Sequence, residues 1–213
     1  MTTPKLVIFD FDGTLADTYG WFLSILDDAI AKFRLYKPHP EEVEAMRGLS
    51  ARQVMTRMKV RPWKLPAIVR HTRREKLKAA ATTQLFDGIT ELMRDLRAAG
   101  IKVAIVSSDT TESVRRVLDR EGIEVDLLNC GASLHGKTNK FKKVLKQMGV
   151  DAKDAVSVGD EIRDIEAAKP INMRCGAVSW GYTLPEALES HHPTYLFKDV
   201  AHMRQILLGQ AEA

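Results

Sequence analysis

The sequence has little of what marks the unusual protein classes. Only two of its 213 residues are cysteines, Cys130 and Cys175, and neither has a partner at metal-ligand spacing, which excludes a disulfide scaffold. The apolar share of 45% and the charged share of 28% exclude a disordered or collagen-like chain. No apolar run approaches the roughly 18 residues of a membrane span, and Met1 to Lys5 leads into a short apolar run without the core of a signal peptide. We therefore expect a soluble, cytoplasmic protein without a membrane partner.

The charge balance is mildly basic, with a net charge of +4 and a pI near 9.0. Such a balance fits a protein that handles anionic small molecules, and by itself it does not indicate nucleic acid. The positive excess is concentrated between residues 16 and 86, which hold 14 Lys and Arg against 7 Asp and Glu. We interpret these basic residues mostly as a solvated face, although a few, such as Arg47, could reach an anionic substrate.

Short apolar runs alternate with helical patterns along most of the chain. Four runs are typical of buried parallel strands, and a fifth stretch, 125–130, is a more polar candidate; the four are 6–9, 101–106, 155–158 and 175–178. Apolar residues at helical spacing follow in three stretches, near 89–96, 114–118 and 141–148. This alternation predicts an α/β fold with a doubly wound parallel sheet, Rossmann-like, with helices on both faces.

Residues 16–86 interrupt the alternation. A helical stripe runs from Phe22 to Phe33, no convincing strand is visible, and several prolines and Gly48 divide the stretch into several helices. We therefore predict one core domain made of residues 1–15 and 87–213, with residues 16–86 as an inserted helical domain. This stretch is called the helical insertion below.

Polar residues follow three of the predicted strands, where ligands bind in doubly wound sheets. These are Asp10 to Thr14, the pair Ser107 and Ser108, and Gly159 to Asp164, with Lys137 in a loop before a helix. Any one of them is an ordinary turn or cap residue. Together, carboxylates supply the oxygen ligands that Mg²⁺ prefers, while a lysine and hydroxyls supply donors for a phosphoryl group.

The order of these residues resembles the signatures of the haloacid dehalogenase superfamily. Asp10-Phe11-Asp12-Gly13-Thr14 is similar to its first signature, and Ser107, Lys137 and Gly159-Asp160-Glu161-Ile162-Arg163-Asp164 are similar to the remaining three. The helical insertion is similar to the cap of the phosphoglycolate-phosphatase-like branch. The resemblance covers essentially the whole chain.

The resemblance implies a Mg²⁺-dependent phosphatase that hydrolyses a small phosphorylated metabolite through an aspartyl-phosphate. It implies Asp10 as nucleophile and Asp12 as general acid and base, the latter being absent from dehalogenases because a halide needs no proton. The other implied roles are phosphate binding by Gly13, Ser107, Ser108 and Lys137, metal binding by Asp10, Asp160 and the carbonyl of Asp12, and a supporting role behind the metal for Asp164.

Three alternative functions stay open at this point. A sugar phosphomutase of the same superfamily carries the same aspartate pair, and a non-catalytic member would bind a phosphorylated ligand without turnover. The third alternative is a phosphate-cradling NTPase loop, because residues 131–138 match G-x-x-x-x-G-K-[ST] with Thr138 as its hydroxyl. The NTPase interpretation leaves the Asp10 signature without a role. The roughly 75 residues that remain after Thr138 are also too few to complete the usual nucleotide-binding core.

Three further features carry weaker expectations. Lys140 is the alternative to Lys137, because Thr138 stands where the branch often has proline. Asp109, with Glu112, is expected to form the capping box of the next helix and is left out of the site. Residues 180–183, which include Trp180 and Tyr182, either line the site or pack in the core.

Overall fold

The structure, a computed structural model, describes residues 3–131 and 136–210. Its eight strands are β1 Leu6–Phe9, β2 Ala16–Asp17, β3 Gln84–Leu85, β4 Lys102–Val106, β5 Leu127–Asn129, β6 Ala155–Gly159, β7 Arg174–Val178 and β8 Tyr195–Phe197. Its helices are α1 Tyr19–Phe33, α2 Pro40–Met46, α3 Ala51–Arg57, α4 Leu65–Ala79, α5 Ile89–Ala98, α6 Thr111–Arg120, α7 Lys137–Met148, α8 Ile162–Ala168, α9 Pro185–Glu189 and α10 Val200–Leu207.

Six of the strands form one parallel sheet in the order β5-β4-β1-β6-β7-β8. β1 lies between β4 and β6, with Phe9 opposite Ile105 on one side and Val158 on the other. The strands that precede the predicted site residues are therefore neighbours, and their carboxyl ends share one edge of the sheet.

The sheet is covered on both faces because successive side chains of a strand point to opposite faces. Val7 and Phe9 of β1 pack in a core with residues of α5, α6 and α10, whereas Leu6 and Ile8 pack in a second core with residues of α7 and α8. The four apolar residues of β1 are all fully buried, as a central parallel strand requires. This arrangement confirms the predicted α/β class and parallel sheet.

The helical insertion contains α1 to α4. Its ends are joined by a two-stranded antiparallel ribbon in which Ala16 pairs with Leu85 and Asp17 with Gln84. The expectation of no strand in this stretch is thus wrong at both ends. Two-residue strands leave no periodic pattern to read, and here they form by pairing across the chain.

Other boundaries differ slightly from the expectations. The candidate strand at 125–130 is reduced to β5, a three-residue strand paired with β4 alone among the described residues, and β8 was not predicted. Within the described ranges, no helix combines the length and the hydropathy that a membrane crossing needs.

Candidate active site

Asp10 follows β1 at the centre of the sheet edge and is 4% exposed. Its Oδ1 accepts a hydrogen bond from the Phe11 amide at 2.7 Å, and its Oδ2 accepts one from Nζ of Lys137 at 2.6 Å. Burial by itself would raise the pKa of Asp10, but the positive charges of Lys137 and Arg163 and these hydrogen bonds outweigh burial and lower it. Asp10 is therefore a buried carboxylate held in its charged form, as a nucleophile must be.

Lys137 is the first residue of α7, and its ammonium lies between two carboxylates. It donates to Asp10 and forms a second ion pair with Asp164. Burial would lower the pKa of Lys137, but the two negative charges outweigh burial and raise it, so the side chain stays cationic. The alternative lysine, Lys140, instead donates to the backbone oxygens of Ser107 and Gly131, at 3.0 and 2.6 Å.

Asp160 follows β6 and is fully buried. Its Oδ1 accepts from the Thr14 hydroxyl and its Oδ2 from the Tyr182 amide, both at 2.9 Å. A Cβ at Gly13 or Gly181 would overlap the Asp160 side chain, and Gly13 also has φ of +72°, so both positions favour glycine. Burial, together with the negative charges of Glu161, Asp10 and Asp164, raises the pKa of Asp160 well above its usual range.

Asp10, Asp160 and Asp164 form a cluster in which one oxygen from each lies within 4.8 Å of the others. All three are buried, and Asp160 receives only neutral donors in the described part of the chain. Converging hard oxygen donors of this kind fit Mg²⁺, whose charge would offset the repulsion between them. The side chain of Asp12 is not in this cluster, whose third carboxylate is that of Asp164.

Asp12 instead faces a cation from the helical insertion. Its Oδ1 accepts a hydrogen bond from Nζ of Lys76 in α4, and this ammonium lies 4.6 Å from the centre of the Trp21 ring. Lys76 is 3% exposed, whereas the Asp12 side chain is 25% exposed, so the ammonium is buried and the carboxylate keeps contact with solvent. The candidate general acid is thereby linked to the insertion rather than to the sheet.

The residues after β4 are divided between the interior and the pocket. The Ser107 hydroxyl is buried and accepts from the Asp109 amide at 3.0 Å, whereas Ser108 is exposed and its carbonyl accepts from Arg73 at 2.9 Å. The N-cap of α6 is Thr110, whose side chain accepts from the Ser113 amide. The capping box predicted for Asp109 is therefore wrong by one residue.

Asp109 lies in the pocket wall rather than at the helix cap. Its Oδ1 accepts from the Thr110 amide at 2.6 Å, and the residue is 5% exposed. Burial and then the negative charge of Asp12 raise the pKa of Asp109. A third carboxyl thus faces the space beside the aspartate pair.

A pocket of about 230 Å³ opens over Asp10 and Asp12. Five residues of α4 line it, Ile68, Val69, Thr72, Arg73 and Lys76, and the last four lie on one face of the helix. Sequence reasoning missed this face, although the i, i+3, i+4, i+7 pattern could have indicated it. Arg47, considered as a substrate contact, donates to the carbonyls of Gly181 and Tyr182, at 3.1 and 3.0 Å, and pairs with Glu44.

The rival loop motif lies partly outside the described residues, since 132–135 are not among them. Lys137 is directed to Asp10, and the Thr138 hydroxyl donates to the carbonyl of Ala167 at 3.0 Å. Both side chains of the motif that the structure describes thus bind other parts of the chain.

Comparison with known proteins connects this geometry to a family. The haloacid dehalogenase-like hydrolase profile matches residues 7–178. A phosphoglycolate phosphatase of Synechococcus elongatus is 27% identical over 204 residues, which is 94% of this chain and 96% of that protein. A tyrosine-protein kinase PtkA of Mycobacterium tuberculosis is 30% identical over 185 residues, 84% of this chain and 64% of that protein.

The fold has solved counterparts as well. The crystal structure of a predicted phosphatase from Clostridium acetobutylicum superposes with a TM-score of 0.82 at 18% identity, over 98% of this chain and all of that one. The match of the family profile to most of the chain, over the same strands that carry the aspartate pair, Ser107 and Asp160, shows that this protein belongs to the haloacid dehalogenase-like hydrolase family.

Proposed function

We propose that this protein is a cytoplasmic, Mg²⁺-dependent phosphatase that hydrolyses a small organic phosphate monoester through an aspartyl-phosphate on Asp10. The observation that carries the proposal is the Lys137 ammonium, 2.6 Å from Oδ2 of a buried Asp10 and paired with Asp164 as well. The relative named as a phosphoglycolate phosphatase, similar over nearly its whole length, supports the phosphatase class. The free thiols of Cys130 and Cys175 support the location.

In the proposed first step, a carboxylate oxygen of Asp10 attacks phosphorus, and the bond from phosphorus to the ester oxygen breaks. Asp12 gives its proton to that oxygen, so the alcohol leaves neutral. Lys137 and the Ser107 hydroxyl stabilise the charge on the phosphoryl oxygens, with Ser108 and Gly13 at the same rim. In the second step Asp12 takes a proton from water, whose oxygen attacks phosphorus and releases phosphate and the Asp10 carboxylate.

The metal site belongs to the same proposal. Asp10, Asp160 and the carbonyl of Asp12 would hold Mg²⁺, which when bound neutralises charge between the carboxylates and the phosphoryl group. Asp164 already accepts from the Glu161 amide at 3.0 Å and pairs with Lys137. These two contacts support a role for Asp164 in fixing Lys137 behind the metal rather than in binding it directly.

We also propose that residues 16–86 act as a cap over a core made of residues 1–15 and 87–213. The short ribbon of β2 and β3 supports this division, because it joins the two points where the chain leaves and re-enters the sheet. The contribution of α1 and α4 to the pocket wall supports a role for the insertion in substrate contact.

Phosphate release from p-nitrophenyl phosphate and from a panel of phosphorylated metabolites tests the proposal. We expect activity with Mg²⁺, none in chelator, and no rescue by Ca²⁺, which takes more ligands at longer distances. Asp10→Asn should be inactive and, after acid quench, should carry no phosphate on the protein, in contrast to the wild type. Full activity in chelator, an active Asp10→Asn, or phosphoryl transfer without release of phosphate would overturn the proposal.

A further inference from the structure

The apolar stripe of α1 is incompletely buried, unlike those of the core helices. Phe22, Ile25, Leu26 and Ala29 are each half-buried. By contrast, the four apolar residues that give α5 its stripe, Ile89, Leu92, Met93 and Leu96, are all buried. The apolar stripe of α5 is therefore fully packed against the sheet, whereas the similar stripe of α1 leaves space beside it.

The space is a cavity of about 380 Å³ between the helices of the insertion. Each of the four helices contributes apolar side chains to its wall, for example Leu26 of α1, Val43 of α2, Val54 of α3 and Val69 of α4. Its size falls within the range of about 300–1,000 Å³ found for small-molecule sites, which are mostly apolar. The cavity is thus large enough for an organic group and chemically suited to an apolar one.

The cavity adjoins the catalytic pocket. Both are lined by the same six residues, Phe22, Ile68, Val69, Thr72, Glu161 and Tyr182. The Tyr182 ring lies 5.7 Å from the ring of Phe22, and its amide donates to Asp160. A ligand whose phosphoryl group lies at Asp10 can therefore extend past these two rings into the cavity.

We propose that this cavity binds the apolar part of the substrate, so that the substrate class is phosphate monoesters of apolar alcohols or phenols. The inference rests on the proposed phosphatase function and adds the nature of the leaving group. Continuity with the catalytic pocket favours substrate over a second copy of the chain, because a partner would have to insert side chains between four helices. A short carboxylate-bearing or polyol leaving group would leave the cavity without a complementary surface.

A homologous series of alkyl phosphates, from ethyl to octyl below micelle-forming concentrations, tests the inference. Burial of one methylene strengthens binding about fourfold, so kcat/KM should rise about fourfold per methylene until the cavity is filled. Alkylphosphonates, which resist hydrolysis, provide a second measurement, and their Kd by calorimetry should fall with chain length in the same way.

Two variants on α1 form a matched pair. Ala29 lines the cavity, whereas Ala31 is exposed on the same helix. Ala29→Phe should lower the ratio of kcat/KM for octyl over ethyl phosphate at least tenfold, and Ala31→Phe should leave that ratio unchanged. Val43→Phe fills the cavity from α2 and replaces Ala29→Phe if the latter does not fold.

The outcomes separate this inference from the proposed function. Release of phosphate from the esters with no dependence on chain length, or equal Kd values for ethyl- and octylphosphonate, would overturn the inference alone. If kcat/KM does not depend on chain length and the molecular mass in solution doubles as the protein concentration is raised, the cavity is assigned to a second copy of the chain. No hydrolysis of any ester, combined with phosphonate Kd values that fall with chain length, would refute the phosphatase and support the apolar site.

Discussion

Gly159, the last residue of β6, offers a direct test of how the site is held together. A Cβ at this position would overlap the carboxylate of Asp164 and would lie 2.7 Å from the Asp164 Cβ, whereas ordinary contact begins near 3.4 Å. To restore ordinary contact in Gly159→Ala, the Asp164 Cβ and the backbone of residue 159 have to move apart by about 0.7 Å, which displaces the first turn of α8 relative to β6. Because Asp164 pairs with Lys137, the shift would move the ammonium that contacts Asp10.

The magnitude follows from two general costs. Overpacking of a close-packed site costs about 1–3 kcal/mol of stability, and a displacement of about 1 Å in a catalytic group costs about 10²-fold in rate. We therefore expect Gly159→Ala to unfold at a lower temperature and to lose about 10²-fold in kcat for phosphate release. Gly20→Ala is the matched control, since no heavy atom lies within 4 Å of its added Cβ and alanine favours the helix. A Gly159→Ala protein with kcat within twofold of wild type would refute the packing argument.

Two further predictions concern charges at the site. Burial and neighbouring carboxylates raise the pKa of Asp160. In chelator, the folded protein therefore becomes less stable relative to the unfolded chain as pH rises above the ordinary aspartate value of 3.8, by up to about 1.4 kcal/mol per pH unit. Asp160→Asn should therefore gain stability over wild type as pH rises from 4 to 8 and should lose stabilisation by Mg²⁺; a pH-independent difference in unfolding midpoint would contradict this. Lys76→Met removes the cation that pairs with Asp12 and should lower kcat/KM by about 10–10²-fold. The control is Lys78→Met, which removes an exposed lysine paired with Glu75 and should leave kcat/KM unchanged. Equal effects of the two substitutions would contradict a role for Lys76.

The parts of the fold that the sequence predicted are those with strong local signals. β1, β4, β6 and β7 are buried parallel strands whose apolar runs are almost continuous, and they match the predicted ranges within one residue. β8 and the β2–β3 ribbon were missed because strands of two or three residues depend on their partners rather than on their own sequence. The apolar stripe from Phe22 to Phe33 correctly predicts the helix α1. It does not predict the cavity beside α1, because periodicity does not show which residues pack against the stripe.

The site residues also fall into those that the sequence predicts and those that it does not. Asp10, Ser107 and Asp160 were predicted to meet because each ends a parallel strand, and β1 does lie between β4 and β6. Lys76 was not predicted, because it lies in a run of basic residues from Arg70 to Lys78 that differ only in the direction of their side chains. Asp109 and Thr110 are both good N-cap residues, so only the backbone at the start of α6 decides between them.

Thr138 is the residue on which the phosphatase and the nucleotide-loop interpretations differ most. In a nucleotide loop its hydroxyl would bind Mg²⁺, whereas here it donates to the Ala167 carbonyl and joins α7 to the end of α8. Thr138→Val keeps the shape and removes one partly buried hydrogen bond, so it should cost about 1 kcal/mol of stability. We expect kcat and the Mg²⁺ dependence of phosphate release to stay within twofold of wild type. Thr138→Ser should recover the stability by restoring the hydroxyl. A Thr138→Val protein that folds normally but needs far more Mg²⁺, while Thr138→Ser does not, would show that the hydroxyl serves the metal and would contradict the site built around Asp10.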